Sequence, residues 1–316
     1  MMVSMHNEPD FHPPTLGIRH YAGEPVLTDG RLPRAVILPV PYDGTSTWGK
    51  GADKGPDAMF EALENMELFD IESGSEVHGE GIAILEALPL EVDGVAKSPE
   101  QVCADVRGEV GKWMGKGVMP IVVGGEHSVS IGAIQACAAA QRGLAVLQLD
   151  AHSDLRSTFH GSACNHACAL HWAATHARLV QVGIRSTEAE ERHYEQEGNV
   201  FHGAHCHAAA DADWIAAAVD RLGPAGTPLY ITVDLDVFDP AYLPETGTPE
   251  PGGLNWYQVI GLIRAAAERH RVVGFDIVEL APRMERSPSA FTAAKLLHKM
   301  LTYVLEPEPI AEPKST

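Results

Sequence analysis

The chain has 316 residues, with 43 acidic against 23 basic side chains and a formal charge of -20 at pH 7. That length suits one large α/β domain, and the charge argues against nucleic acid and anionic membranes as partners while modestly favouring a cationic small molecule. No run approaches membrane-spanning length, Met1 to Pro14 has neither a basic nor an apolar stretch, and Cys103, Cys137, Cys164, Cys168 and Cys206 follow no pairing pattern, so free thiols and a cytoplasmic enzyme are expected.

Residues 1–33, rich in Pro, His and Gly, predict an irregular N-terminal arm; 34–305 read as one catalytic domain and 306–316 as a flexible tail. Arg34 to Val40 predicts the first core strand. The loop from Pro41 to Gly55, with Thr45, Ser46, Thr47 and Trp48, has the composition of a mobile active-site rim or a plain surface loop. Helical spacing over Asp57 to Phe69 and a short strand over Glu80 to Leu85 read as scaffold. Ser98 to Lys116 predicts a helix with Ser98 as cap and Pro99 at its first position.

Ile121 to Val123 then runs into Gly124-Gly125-Glu126-His127-Ser128: a strand, two glycines that permit a tight backbone, and a single His ahead of a helix over Ser128 to Gln141. Leu144 to Leu149, broken only by Gln148, feeds into Asp150-Ala151-His152-Ser153-Asp154. Alternate residues of an extended backbone point the same way, so Asp150, His152 and Asp154 are expected to converge. A polar turn is the bland alternative. Further on come strands at Ala177 to Ile184 and Asn199 to His202, a helix at Asp211 to Leu222, and a strand at Leu229 to Val233 that ends in Asp234 and Asp236. His205 and His207 have ligand-like spacing but lie in a predicted loop without partner carboxylates, and His171 and His176 read as surface or packing residues. Helices at Asn255 to His270 and Ser289 to Leu305 enclose a strand at Val272 to Val278. The alternation predicts a three-layer α/β/α fold with a mostly parallel sheet.

Three strand ends thus offer two histidines and four aspartates, and ligands of parallel α/β sheets bind at the strands' carboxyl ends, so one shared site is implied. Carboxylate and imidazole donors without thiolate favour a hard to borderline cation, manganese ahead of zinc, and the anionic count suits two divalent ions. Two ions roughly 3.5 to 4 Å apart can hold a water as hydroxide near neutral pH.

Gly124 to Ser128, Asp150 to Asp154 and Asp234-Leu235-Asp236-Val237-Phe238-Asp239-Pro240-Ala241 resemble the three signature motifs of the ureohydrolase family of arginases and agmatinases, in order and spacing. Pro41 to Thr45, Lys54 to Ala58, Gly247 to Gly253 and Asp276 to Glu279 resemble its agmatinase branch, and the likeness spans about residues 35 to 305. The resemblance implies an arginase-like fold and two Mn2+ ions. One would be held by His127, Asp150, Asp154 and Asp234, the other by Asp150, His152, Asp234 and Asp236. It also implies a proton-transfer role for Asp154, a guanidinium contact for Glu279, and a proton shuttle in the loop after the central motif, His166 ahead of His160. Homotrimers or homohexamers are implied too.

The activity so implied is hydrolysis of a guanidino compound to urea and an amine, with agmatine giving putrescine as the first expectation. Arg156, Lys50 and Lys54 keep open a substrate with a carboxylate tail, such as guanidinobutyrate or formiminoglutamate. Arginine is less favoured, because Leu155-Arg156-Ser157-Thr158-Phe159 departs from the Asn/Thr/Ser-rich loop of arginases. A deacetylase-like zinc hydrolase is opposed by the presence of both His127 and Asp236, and a silent binding homologue by the full donor set.

Overall fold

The computed structural model describes residues 19–21 and 32–306. Nine strands make one sheet: β1 (Arg19–His20), β2 (Ala35–Val40), β3 (Ile82–Ile84), β4 (Met119–Gly124), β5 (Ala145–Leu149), β6 (Arg178–Ile184), β7 (Val200–His202), β8 (Pro228–Asp234) and β9 (Arg271–Val278). Their spatial order is β1-β3-β2-β4-β9-β8-β5-β6-β7. Eight run parallel, and β1 adds to the edge antiparallel to β3. The central strands are apolar on both faces because helices cover both, the usual condition of a parallel sheet.

Those helices are α1 (Gly55–Leu63), α2 (Pro99–Met114), α3 (Val129–Ala140), α4 (His171–His176), α5 (Gly203–Ala208), α6 (Asp211–Arg221), α7 (Trp256–Arg269) and α8 (Pro288–Leu305). On one face Ile121, Leu147, Ile231 and Phe275 pack with residues of α1, α6, α7 and α8; on the other Val122, Val146 and Tyr230 pack with α2, α3 and α4. This strand-by-strand alternation places one core on each side of the sheet. The cap read from the sequence at Ser98 is present, in a reciprocal box with Gln101, and Asn255 forms a second such box with Gln258. Helices α2 and α3 come so close that a Cβ at Gly132 would lie 2.3 Å from the Cys103 carbonyl oxygen.

Four expectations need correction. The helix expected over Asp57 to Phe69 stops at Leu63, where Asn65 bonds back to Glu61 and Ala62; Phe69 instead starts a small hairpin with Ser75–Glu76. The arm is not irregular throughout, since β1 joins the sheet and Tyr21 is buried with its hydroxyl 3.0 Å from His298 Nδ1. The rest of 1–31 and the tail beyond Glu306 lie outside the described residues. His205 and His207 sit on α5 rather than in a loop, and His207 Nε2 lies 3.0 Å from the Gly253 carbonyl. The fourth concerns the metal-binding segments and is taken up below. All five cysteines are free thiols, and no helix among the described residues is long and apolar enough to cross a membrane.

Candidate metal centre

Strands β4, β9, β8 and β5 are consecutive in the sheet, and each ends in residues suited to chemistry. His127 follows β4, Glu279 follows β9, Asp234 closes β8, and Asp150 follows β5. Parallel pairing aligns these ends, so four separate segments deliver their side chains to one edge. The expected alternation of an extended chain does not by itself bring in Asp154 and Asp236. Asp154 has φ +53° and Glu279 φ +67°, while Leu235–Val237 forms a turn of 3-10 helix in which the Asp236 amide donates to Asp234 Oδ1 at 2.9 Å. Turning backbone, rather than pleat, aims Asp154 and Asp236 inward.

His127 Nδ1 lies 3.1 Å from Asp150 Oδ2, 3.1 Å from Asp154 Oδ2 and 3.3 Å from Asp234 Oδ2. His152 Nδ1 lies 2.9 Å from Asp236 Oδ2 and 3.7 Å from Asp150 Oδ1. Two donor groups result, His127 with Asp150 and Asp234, and His152 with Asp150 and Asp236; Asp150 belongs to both.

Hydrogen bonding behind the histidine tests whether a cation fits. Thr232 gives its one hydroxyl proton to Asp276 Oδ1 at 2.6 Å, and Tyr230 donates to Asp276 Oδ2 at 2.8 Å. Thr232 Oγ1 must therefore accept from His127 Nε2, 2.9 Å away. The neutral ring therefore presents the Nδ1 lone pair, buried, to three carboxylate oxygens within 3.3 Å. Such an arrangement is repulsive unless a proton on Nδ1 or a metal cation lies between the donors.

Electrostatics agree. Burial, then the charges of Asp236 and Asp150, push Asp234 far above the usual carboxylate range, and burial with the Asp150 charge pushes Asp154 up to about 7. Burial also opposes ionisation of Asp150, yet His127 and His152 together hold it low. Burial works against protonation of His127 too, but Asp150, Asp154 and Asp234 raise it well above its ordinary value. The cluster carries more negative charge than the protein alone compensates, and divalent cations fit it.

The backbone around the site is tied down. Gln148 Nε2 donates to Asp150 Oδ2 at 2.7 Å, and Gln181 Nε2 donates to Gln148 Oε1 at 2.7 Å. Arg185 Nη2 donates to the carbonyls of Asp236 at 2.6 Å and Glu250 at 2.7 Å, clamping two loops.

Residues 33–302 match the model of the Arginase family. The chain belongs to the arginase family. It is 31% identical over 301 residues, 92% of this chain and 95% of the relative, to an N(1)-aminopropylagmatine ureohydrolase of Synechocystis. An agmatinase of Pyrococcus horikoshii is 33% identical, over 83% of this chain and 89% of its own. The crystal structure of an agmatine ureohydrolase of Thermoplasma volcanium superposes with a TM-score of 0.76 at 32% identity, covering 86% of this chain and 90% of that one. This arginase-family chain is thus an agmatinase-like ureohydrolase, a hydrolase of amidino C–N bonds, with the Asp/His donor groups of a binuclear metal family.

Beside the centre runs the cleft of this ureohydrolase, lined by His152, Asp154, Asp234, Glu279 and His166, and toward solvent by Thr47, Thr187, Thr248, Glu188 and Arg156. Glu279 Oε1 accepts from the His127 amide at 2.8 Å. Burial and the Glu126 charge push Glu279 well up. Burial lowers His166 to about 4, helped by the charges of His127 and His152. His160 is not brought to the cleft: it and Gly161, with φ +48° and +85°, make the tight turn between Phe159 and Ser162, and its ring stacks on Phe159 at 4.1 Å. Arg156 covers the Phe159 ring at 4.4 Å and pairs with Glu188 at 3.1 Å. Lys50 is held by Asp43 at 3.2 Å, and neither it nor Lys54 lines the cleft. Sequence reading passed over Thr232, Asp276 as a hydrogen-bond acceptor, Gln148, Arg185 and Glu126; Gln148 and Asp276 were detectable as polar residues breaking apolar strands.

Proposed function

We propose that the chain cleaves a guanidino-alkylamine, agmatine or its N(1)-aminopropyl derivative, to urea and the corresponding amine, using two Mn2+ ions. The observation that carries this reading is the charge of the cleft. Its described lining offers carboxylates and hydroxyls, and its one arginine or lysine, Arg156, is already engaged by Glu188 and Phe159. A carboxylate tail meets no uncommitted cation there, whereas an ammonium meets Oε2 of Glu188, since the Arg156 pair uses Oε1. The names of the Synechocystis and Pyrococcus relatives support substrates of this kind.

His127, Asp150, Asp154, Asp234, His152 and Asp236 would hold the two ions, which supply Lewis-acid activation of a water and stabilise charge at the guanidinium carbon. Glu279 has one oxygen fixed by the His127 amide, leaving the other to receive a guanidinium N–H in a charge-assisted bond that orients the carbon. Asp154 accepts the proton of the attacking water, a transfer that needs a carboxylate beside the nucleophile. Both protons of the water end on the nitrogen of the breaking C–N bond: one is carried there from Asp154, and the other is taken up and passed on by His166, which is neutral before and after. The water oxygen ends in urea and the amine departs protonated. We also propose a cytoplasmic homo-oligomer, a trimer or hexamer; light scattering that returns a monomer would refute that part.

The test is product release by Mn2+-loaded protein from agmatine, N(1)-aminopropylagmatine, arginine and guanidinobutyrate, with formamide followed from formiminoglutamate. Preference for either guanidino-amine is expected. Preference for an acid would overturn the reading of the cleft and assign Arg156 to the tail.

A further inference from the structure

Three residues outside the donor groups form a hydrogen-bonded chain that reaches the cleft. Glu126 is fully buried between β4 and His127. Its Oε1 accepts from Ser128 Oγ at 2.6 Å and Thr45 Oγ1 at 2.5 Å, and its Oε2 from the Thr45 amide at 2.6 Å and Ser46 Oγ at 3.2 Å. Thr45 Oγ1 in turn lies 3.1 Å from both the amide nitrogen and Nδ1 of His166. The rim loop is held in place for this. The Gly125 amide donates to the Val40 carbonyl and the Glu126 amide to that of Tyr42, both at 2.8 Å. A Cβ at Gly125 would fall 2.1 Å from Tyr42 O, and one at Gly44 would fall 2.2 Å from the Tyr42 hydroxyl oxygen.

Proton counting gives the chain a direction. A threonine hydroxyl has one proton and two acceptor positions. The contact to Glu126 is 0.6 Å shorter than that to His166, from 2.5 and 3.1 Å, so the proton lies toward the carboxylate. The two acceptor positions are then left for the His166 amide and for a proton on Nδ1.

We propose that Thr45 and Glu126 are positioning residues that hold His166 as its Nδ1–H tautomer, with the lone pair of Nε2 directed to the cleft. The other tautomer would place an N–H where a proton must be accepted, and would set two lone pairs, Nδ1 and Oγ1, against each other. The proposal rests on the shuttle role given to His166 above. It also gives the loop over Pro41 to Gly55 a part in the chemistry, because Thr45 acts through His166 without meeting the reacting atoms.

The test is nitrogen NMR of 15N-histidine-labelled protein, with the His166 signals assigned by their loss in His166→Asn, alongside steady-state urea release. Expected are an Nδ1–H signature in the parent, a shift toward Nε2–H in Thr45→Val with kcat lowered about 10-fold at little change in KM, and recovery of both in Thr45→Ser. Parental Nε2–H, or a tautomer that Thr45→Val leaves unchanged, would overturn the proposal. Full activity in His166→Asn would overturn it from the other side by removing the shuttle itself, and because the tautomer is read independently of turnover the two failures are distinguishable.

Discussion

Replacing Asp150 with Asn tests the metal reading where it is most exposed. One carboxylate serves both donor groups: Oδ2 is 3.1 Å from His127 Nδ1, and Oδ1 is 3.7 Å from His152 Nδ1. The substitution keeps shape but removes one negative charge and turns an acceptor into a donor aimed at the site. Removing one partner of a buried charge pair costs about 3–5 kcal/mol, which corresponds to roughly 10²- to 4 × 10³-fold weaker binding of each ion. The effect on unfolding is read from the metal-dependent part of the stability. In chelator, loss of the charge relieves repulsion on Asp154 and Asp234 but also removes the pairing with His127 and His152, two changes of opposite sign. With metal at about 1,000 times the parental Kd the parent gains about 4 kcal/mol, and a site weakened 100-fold gains only about 1.4 kcal/mol. Melting curves with and without Mn2+, and metal content by plasma mass spectrometry after dialysis, read this out. Two ions retained per chain together with the parental metal-dependent rise in Tm would refute the assignment of Asp150 as the shared ligand.

Two further outcomes are expected. Asp276→Asn should weaken the acceptor behind Thr232 and let His127 turn, lowering metal affinity about 10- to 100-fold while circular dichroism stays unchanged; unaltered metal affinity would remove Asp276 from the support of the site. His298, lowered from 6.5 to about 4 chiefly by burial and then by Lys295, is neutral when folded. Its contribution is complete above pH 6.5 and is lost as pH falls from 6.5 toward 4, because the unfolded chain binds the proton more readily. His298→Gln should therefore shrink the fall in stability between pH 7 and pH 5 by about 2 kcal/mol, measured by urea denaturation at the two values, and a parallel pair of profiles would argue against a neutral buried His298.

The sheet and the donor set were legible because each central strand is an apolar run that stops abruptly at chelating residues: Val123 before the His127 segment, Leu149 before Asp150, Val233 before Asp234. Such boundaries are local in sequence. What was not legible depends on contacts distant in sequence. Thr45 meets Glu126 across 81 positions, and nothing in Pro41 to Gly55 distinguishes a strapped rim from a surface loop. The convergence of Asp154 and Asp236 was foreseen for the wrong reason, since a left-handed residue and a 3-10 turn do what alternation was expected to do. As residue types His160 and His166 look alike; the resemblance puts His166 first, and the tight turn at His160 and Gly161 keeps His160 out of the cleft. The edge strand β1 has two residues and no period to detect.

The left-handed backbone at Asp154 and Glu279 has a bearing on how such a chain can be altered. A side chain other than Gly in that conformation costs on the order of 1 kcal/mol or more, and glycine there would relieve strain together with like-charge crowding. A directed-evolution library ranked by thermal tolerance alone would therefore be drawn toward Asp154→Gly and, against the loss of the acceptor of the His127 amide, Glu279→Gly, the replacements that delete the proposed proton acceptor and the proposed guanidinium contact. Selection for robustness and selection for turnover pull in opposite directions at these two positions, so stabilising substitutions are better sought away from the carboxyl edge of the sheet.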